Sequence, residues 1–485
     1  MSAPASYDAI VIGGGVNGLT AAAYLAKARR RVLLLEEKDR LGGRCARVDL
    51  GEGFSAAIAT PVLYTLDPSL VSDLKLSRFG FRLAGRELPL VSLRGGAKQI
   101  VLSRNVHDTA ASIIPHSRAD AAAWPRFRTT LFELARAMRP LWWETQASLP
   151  EDEHLREIER IRCMGASAWL DTWFESEALK AALCFDATAG GLSIAEPGSA
   201  MTLLWRAAQE MSGLQGATMI PGGGVPKLAD ALVAAAQDAG CELRTGACVK
   251  EIILDRDRVA GVHLLSGESC FAPMVLSAVS RHRMLYDLLP PGALGLSRAV
   301  SSARASSLIA AHVLAVLANI PSMGAVSPAS RFIVAERIET HISAELAARS
   351  GEIGDELPIE FTVPTSLDPL IAPPGQHILS AVIRPLPRHP KEGWARLRPV
   401  LVTKAIAALD RLIPNFSRDL SRLEVLMPDD IGADNGADIS WLMSTYASRM
   451  QMPISGLFFC GADAEPVSAI SGRAGRLAAQ MAMLP

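Results

Sequence analysis

The chain has 485 residues, 49% hydrophobic and 20% charged, which is enough apolar material for two large or three small domains and excludes global disorder. Lysine and arginine total 49 against 50 for aspartate and glutamate, a net charge of −1. That balance excludes a nucleic-acid binder, whose affinity would rest on surplus positive charge. Mean hydropathy is +0.21, which points to a greasy cavity or a membrane-facing patch.

Residues 1–7 carry no cationic region and no long apolar run, so no targeting segment is expected. The run Asp8-Ala-Ile-Val-Ile-Gly13, short, apolar and β-branched, predicts a buried parallel strand stopped by glycine. Residues 18–28 predict a helix of small side chains, and 31–36 a second strand. Strand, glycine turn, helix and strand within this span make a right-handed βαβ unit. Its turn carries Gly13-x-Gly15-x-x-Gly18. In that pattern the first glycine allows the tight turn and the second admits a diphosphate to the backbone. The third lets helix and strand pack closely. The helix N-terminus would offer free N–H groups to the phosphates. Glu36 ends the second strand eighteen residues past Gly18, where a carboxylate accepts from ribose hydroxyls. Leu41-Gly42-Gly43-Arg44 then brings more bare backbone and a charge-assisted donor to the diphosphate. This extension points to flavin adenine dinucleotide (FAD).

Helices are expected over 119–144, 176–187 and 394–412. In the first, Trp124, Phe127, Phe132, Trp142 and Trp143 alternate with Arg126, Arg128, Arg136 and Arg139. That stretch reads either as core packing beneath solvated arginines or as a surface for peripheral membrane contact. Mid-chain, Gly222-Gly-Gly224 predicts a turn and 225–239 a helix, followed by strands at 242–245, 247–255, 258–265 and 274–278. The longest apolar run, 308–317, falls short of the ~20 residues that span a bilayer and is broken by His312, read as a core histidine. Near the end, 457–460 predicts a strand and 472–483 a helix. Between them Gly461 and Asp463 would meet ribityl or diphosphate oxygens. Ser471 and Gly472 would open a helix whose dipole favours a reduced flavin. Arg449, just before this strand, is a weaker candidate for the same region.

The seven cysteines are scattered without Cys-x-x-Cys, and the nine histidines lack ligand spacing. A reduced, cytoplasmic protein without a metal is expected. No second Gly-x-Gly-x-x-Gly follows a strand, so the electron acceptor is expected to be oxygen or a quinone rather than a nicotinamide.

The expected fold class is α/β. A Rossmann-type FAD-binding domain is assembled from 1–80, 215–285 and 430–485. An inserted α+β substrate domain takes 81–214 and 286–429.

The segments Tyr7-Asp-Ala-Ile-Val-Ile-Gly-Gly-Gly-Val-Asn-Gly-Leu19, Leu41-Gly-Gly-Arg44, Pro221-Gly-Gly-Gly-Val-Pro-Lys-Leu228 and Gly456-Leu-Phe-Phe-Cys-Gly461 resemble the phytoene desaturase-like flavoproteins. These belong to the glutathione-reductase-type FAD superfamily shared with amine oxidases. The resemblance runs nearly end to end and is greatest for the pyridine nucleotide-disulfide oxidoreductase domain branch. It implies cofactor contacts at Val16, Asn17 and Glu37 beside the glycines, and adenine contact through the backbone of Val249. It further implies a hydrophobic, isoprenoid or carotenoid-like substrate that gives hydride to flavin N5. Where the family carries Gly-Thr-His-Pro-Gly-Gly-Gly, residues 463–469 depart, with Glu465 at the histidine position. Amine oxidation, and a flavin-binding scaffold with reduced catalysis, remain alternatives. Nothing in the sequence sets an oligomeric state.

Overall fold

The computed structural model describes residues 7–83, 87–96, 98–144, 147, 150, 152–294, 306–431, 442–445, 449–450, 452–467 and 469–484; stretch 1–6, read above for a targeting signal, lies outside them.

Ala9–Ile12 is a fully buried strand at the centre of a five-stranded sheet. The order is Leu457–Phe459, Val275–Ser277, Ala9–Ile12, Val32–Leu35 and Glu242–Arg244, every neighbouring pair parallel. Burial on both faces explains why the four strands other than the edge strand Glu242–Arg244 read as largely apolar runs. The strands come from the beginning, middle and end of the chain. Helix Val16–Lys27 covers one face, with Ala21, Ala22 and Ala23 fully buried. The C-terminal helix Arg473–Ala482 lies against it at Gly475, where an added Cβ would stand 2.0 Å from the Asn17 carbonyl oxygen. Only glycine permits that approach. A three-stranded antiparallel sheet, Val249–Asp255, Arg258–Leu264 and Ser269–Phe271, flanks the parallel one in sequence.

The second large sheet has seven strands in the order Leu420–Leu426, Leu308–Leu317, His377–Pro387, Ile359–Thr362, Arg331–Val334, Leu90–Ser92 and Ile100–Leu102. One neighbouring pair is parallel and the rest antiparallel. Leu308–Leu317 pairs on both edges, and nine of its ten residues are buried, so the apolar run is an interior strand. A helical layer that includes Arg118–Trp143, Glu177–Ala187 and Ala200–Ala208 builds its own core.

That core corrects the membrane reading of the aromatic stretch. Trp124, Phe127 and Trp142 are buried, and Phe127 packs against Trp169, Trp173 and Phe174 with ring centroids 4.9–5.5 Å apart. Their burial leaves little aromatic surface on this helix to insert into lipid, while Arg126 and Arg136 stay in solvent. Among the described residues no helix is long and apolar enough to cross a membrane.

His312 sits inside its strand as expected, 2% exposed. Its Nδ1–H donates to the Ile58 carbonyl at 2.9 Å and Nε2 accepts from the Ser380 hydroxyl at 2.7 Å. Burial pushes its pKa down to about 4, and burial does the same at His341, whose Nε2–H donates to the Ala181 carbonyl. The unfolded chain therefore binds more protons than the folded one between about pH 6.5 and pH 4. Stability is complete above this window and declines as pH falls through it. The expected loss is about 3 kcal/mol per histidine, read by urea denaturation at stepped pH. His312→Gln, checked in the same titration, removes part of the slope.

Candidate active site

The strand Ala9–Ile12 delivers the chain into the glycine turn, which folds tightly because Gly13 N donates to the Leu35 carbonyl at 2.8 Å. Gly18 lies directly over that turn. A Cβ there would meet the Gly13 carbonyl oxygen at 1.9 Å, so helix and turn can touch only through a glycine. Glu36 Oε2 accepts from Gly14 N at 2.6 Å and Oε1 from Lys38 N at 3.0 Å, which fixes the carboxylate at the strand end. The Gly42 amide donates to the Gly14 carbonyl at 2.8 Å, laying 41–44 beside the turn.

These segments enclose a cleft of about 530 Å³. Of the residues read from the sequence, Gly13, Gly15, Val16, Asn17, Glu36, Glu37, Gly43, Arg44, Val249 and Asp463 line it. Gly18, Gly42 and Gly461 do not; they shape the backbone behind it. Ser471 and Gly472 also stay off the cleft wall, contrary to the expectation of a flavin-facing helix start. The Ser471 hydroxyl is fully buried and donates to Glu465 Oε1 at 2.6 Å, while Gly472 packs on Leu70 and Thr20. Arg449 likewise misses the cleft, donating to the carbonyls of Ala464 and Thr445.

Glu465 explains the altered 463–469 segment, of which residue 468 lies outside the described set. Its carboxylate is fully buried and faces Arg473 at 3.5 Å, and the Arg473 guanidinium also stands 4.2 Å over the Trp143 ring. A buried ion pair thus clamps this loop to the C-terminal helix.

At the far end of the cleft, Arg283 donates to Glu37 at 2.6 Å, and that bond holds the Glu37 carboxyl below its usual range. Sequence reading missed Arg283, Ser280, Arg388, Ala469 and Ile470, all of which line the cleft. Arg283 and Ser280 follow a recognised strand, so the loop after each parallel strand was the available signal.

A dinucleotide fits the donor set. Asn17 is buried and lines the cleft, and its Oδ1 has no hydrogen-bond partner among the described residues. An acceptor buried in this way requires a donor from a bound group. Asp463 Oδ2 accepts from Arg281 N at 2.8 Å and stays half-turned to the same space.

Beside the cleft lies a second cavity of about 170 Å³, walled by the seven-stranded sheet, helix Ala200–Ala208 and segment 59–65. Arg44, Arg388, Pro428, Ala469 and Ile470 line both spaces. Burial lowers the Arg44 pKa, and its guanidinium donates to the Ala469 carbonyl at 3.1 Å. Beyond the junction the cavity is charged rather than uniformly greasy. Arg331 binds Glu360 at 2.7 and 3.0 Å and Asp186 at 3.1 Å. Burial alone would raise Asp186, but the Arg331 guanidinium overrides it and pulls the carboxyl down to about 2. Arg206 and Arg384 line the same cavity, with Tyr64 and Trp205.

Comparison with known proteins places this arrangement. The sequence profile of the flavin containing amine oxidoreductases matches residues 17–382. The chain belongs to that family. It is 28% identical to the rat protein named pyridine nucleotide-disulfide oxidoreductase domain-containing protein 2, over 98% of this chain and 93% of that one. It is 27% identical to a phytoene dehydrogenase of Streptomyces griseus, over 88% and 83% of the two chains. An oxidoreductase from Methanosarcina mazei has the same fold, with a TM-score of 0.66 at 16% identity and coverage of 98% and 99%. The protein is an FAD-dependent oxidoreductase of α/β fold, as the glycine motifs and the resemblance had implied.

Proposed function

We propose that the protein oxidises a small amphipathic molecule seated in the second cavity, and that FAD lies along the cleft. The single observation that carries this reading is the adjacency of the two spaces, which share Arg44, Ala469 and Ile470 as a common wall. Bound FAD supplies the hydride acceptor at flavin N5. The chain does the rest. The backbone at Gly13, Gly15 and Gly43 and the N-terminus of Val16–Lys27 would receive the diphosphate. Glu36 would accept from the ribose, Asn17 Oδ1 from a cofactor hydroxyl, and Val249 with the Arg283–Glu37 pair would bound the adenine end. Asp463 would meet the ribityl chain. These roles rest on placement and on the chemistry of each group, as does the division into domains at 1–80, 215–285 and 430–485 against 81–214 and 286–429.

In the second cavity the apolar side chains of Pro61, Ile309, Val382 and Ile470 exclude water from the C–H bond to be broken. An isoprenoid hydrocarbon would leave the charged groups there desolvated with nothing to meet. Tyr64 and Trp205 stand edge-on at 90° rather than as facing rings, and Arg206 lies 4.3 Å over Tyr64, a setting that repels an amine cation. An oxygen or quinone acceptor remains part of the proposal.

Anaerobic photoreduction, followed by mixing with oxygen or a soluble quinone, tests the reading. Reoxidation within seconds supports turnover, whereas a reduced flavin inert to both acceptors supports a scaffold. Glu36→Ala should weaken FAD binding by about 10- to 100-fold, from loss of a charge-assisted acceptor, as measured by fluorescence titration of the flavin-free protein.

A further inference from the structure

The oxidoreductase reading leaves the charge in the second cavity unexplained. Both cavity carboxylates, Asp186 and Glu360, are engaged by Arg331. Arg206 stands 4.0 Å from Asp186, and its other partners are neutral: the Gly216 carbonyl at 3.1 Å and the Thr218 hydroxyl. Among the described residues Arg384 donates to neutral oxygens only, Thr188 Oγ1 at 3.0 Å and the Phe185 carbonyl at 2.9 Å, and lies 4.3 Å over the Phe185 ring. Burial pulls down the pKa of both guanidiniums, while the two carboxylates hold them up. Arg206, Arg331 and Arg384 thus face two carboxylates, with Arg44 and Arg388 on the wall shared with the cleft, and an anion would complete the set.

Tyr64 supplies a second, independent sign. Its hydroxyl makes no hydrogen bond to any described residue, although its ring is fixed beneath Arg206 and against the edge of Trp205. Burial raises its pKa, so at neutral pH it is a phenol with a proton to donate. Arg206, Arg384 and Tyr64 line the second cavity and not the cleft.

We propose that the substrate is a small organic carboxylate, its carboxyl group held by Arg384, Arg206 and the Tyr64 hydroxyl and its apolar body directed toward Ile470 and the cleft. This assignment rests on the cavity being the substrate site of the oxidoreductase.

Three probes of one carbon skeleton test it: 3-phenylpropanoate, 3-phenylpropan-1-ol and 3-phenylpropan-1-amine, each titrated into the FAD-loaded protein. The readouts are perturbation of the flavin absorption bands and calorimetric heat. The carboxylate should bind at least about 10-fold more tightly than the alcohol or the amine. Arg384→Gln should weaken the carboxylate by about 10- to 100-fold, and Tyr64→Phe by about 3- to 10-fold, with FAD content unchanged. Tyr64→Phe removes a hydroxyl that has no partner among the described residues, so it keeps the test sound if Arg384→Gln fails to fold. Equal binding of the three probes, or carboxylate binding unchanged in Tyr64→Phe, overturns the proposal. The two readings fail separately. A protein that holds no FAD refutes the oxidoreductase reading, whereas calorimetric binding of 3-phenylpropanoate to that protein would still report the carboxylate site.

Discussion

Gly18→Ala yields protein without bound FAD, and most of it insoluble. The added Cβ would sit 1.9 Å from the Gly13 carbonyl oxygen and 3.2 Å from the Ala278 Cβ. The first obstacle is backbone, not a side chain that can rotate away. Gly13 in turn is held by its hydrogen bond to Leu35, and helix Val16–Lys27 is packed on its far side by Gly475 against the Asn17 carbonyl. Neither helix nor turn can retreat without pulling the central strand. Relief requires opening the βαβ unit, which destroys the diphosphate site along with the packing. The measurement is the ratio of flavin absorbance at 450 nm to protein absorbance in the soluble fraction, roughly nil in the variant. A yellow Gly18→Ala protein of native stability would show that the turn is not packed as described.

Arg331→Met is expected to produce the second large effect. Arg331 is 5% exposed and holds Glu360, 6% exposed, and Asp186 together. Methionine conserves bulk but leaves two carboxylates close together without their principal cation. Removing one partner of a buried ion network costs about 3–5 kcal/mol. The pH dependence identifies the cause. In the native protein Asp186 is held at about 2, so its favourable contribution is present above the ordinary carboxylate range and disappears as pH falls toward 2. In Arg331→Met burial is no longer overridden at Asp186, its folded pKa rises above the unfolded value, the sign reverses, and the deficit shrinks as pH falls below the raised value. Denaturation of variant and parent at stepped pH reads this directly. Adding Asp186→Asn and Glu360→Gln to Arg331→Met should recover part of the loss at neutral pH.

Much of the cofactor half was legible because its chemistry needs particular residues at fixed spacing. Gly13, Gly15 and Gly18, Glu36 past the second strand, and Gly42 to Arg44 occupy the turn, strand end and cleft wall that their spacing implied. Most strands of the parallel sheet were visible because burial on both faces makes them largely apolar runs; the edge strand Glu242–Arg244 is partly exposed. The C-terminal turn was ambiguous for a physical reason. Serine and glycine before a helix look the same whether they serve a ligand or the interior, and here Ser471 bonds Glu465 and Gly472 packs on Leu70. The aromatic stretch 124–143 posed the same ambiguity, since the partners that bury it, Trp169 and Phe174, come from a later part of the chain. The substrate cavity was the least legible feature. Arg206, Arg331 and Arg384 lie far apart in sequence, on a helix and two strands of the seven-stranded sheet, and no local pattern unites them. Mean hydropathy suggested a greasy interior, but it averages over the whole chain and carries no information about three arginines meeting at one place.

The central claim is that distant stretches of one polypeptide converge on a single flavin. Purifying the protein, releasing its chromophore with heat or acid, and quantifying FAD against protein tests this most directly. The account predicts one FAD per chain, directly or after reconstitution, released without covalent attachment. Protein that is colourless as isolated, well folded by circular dichroism, and unable to take up added FAD would contradict it.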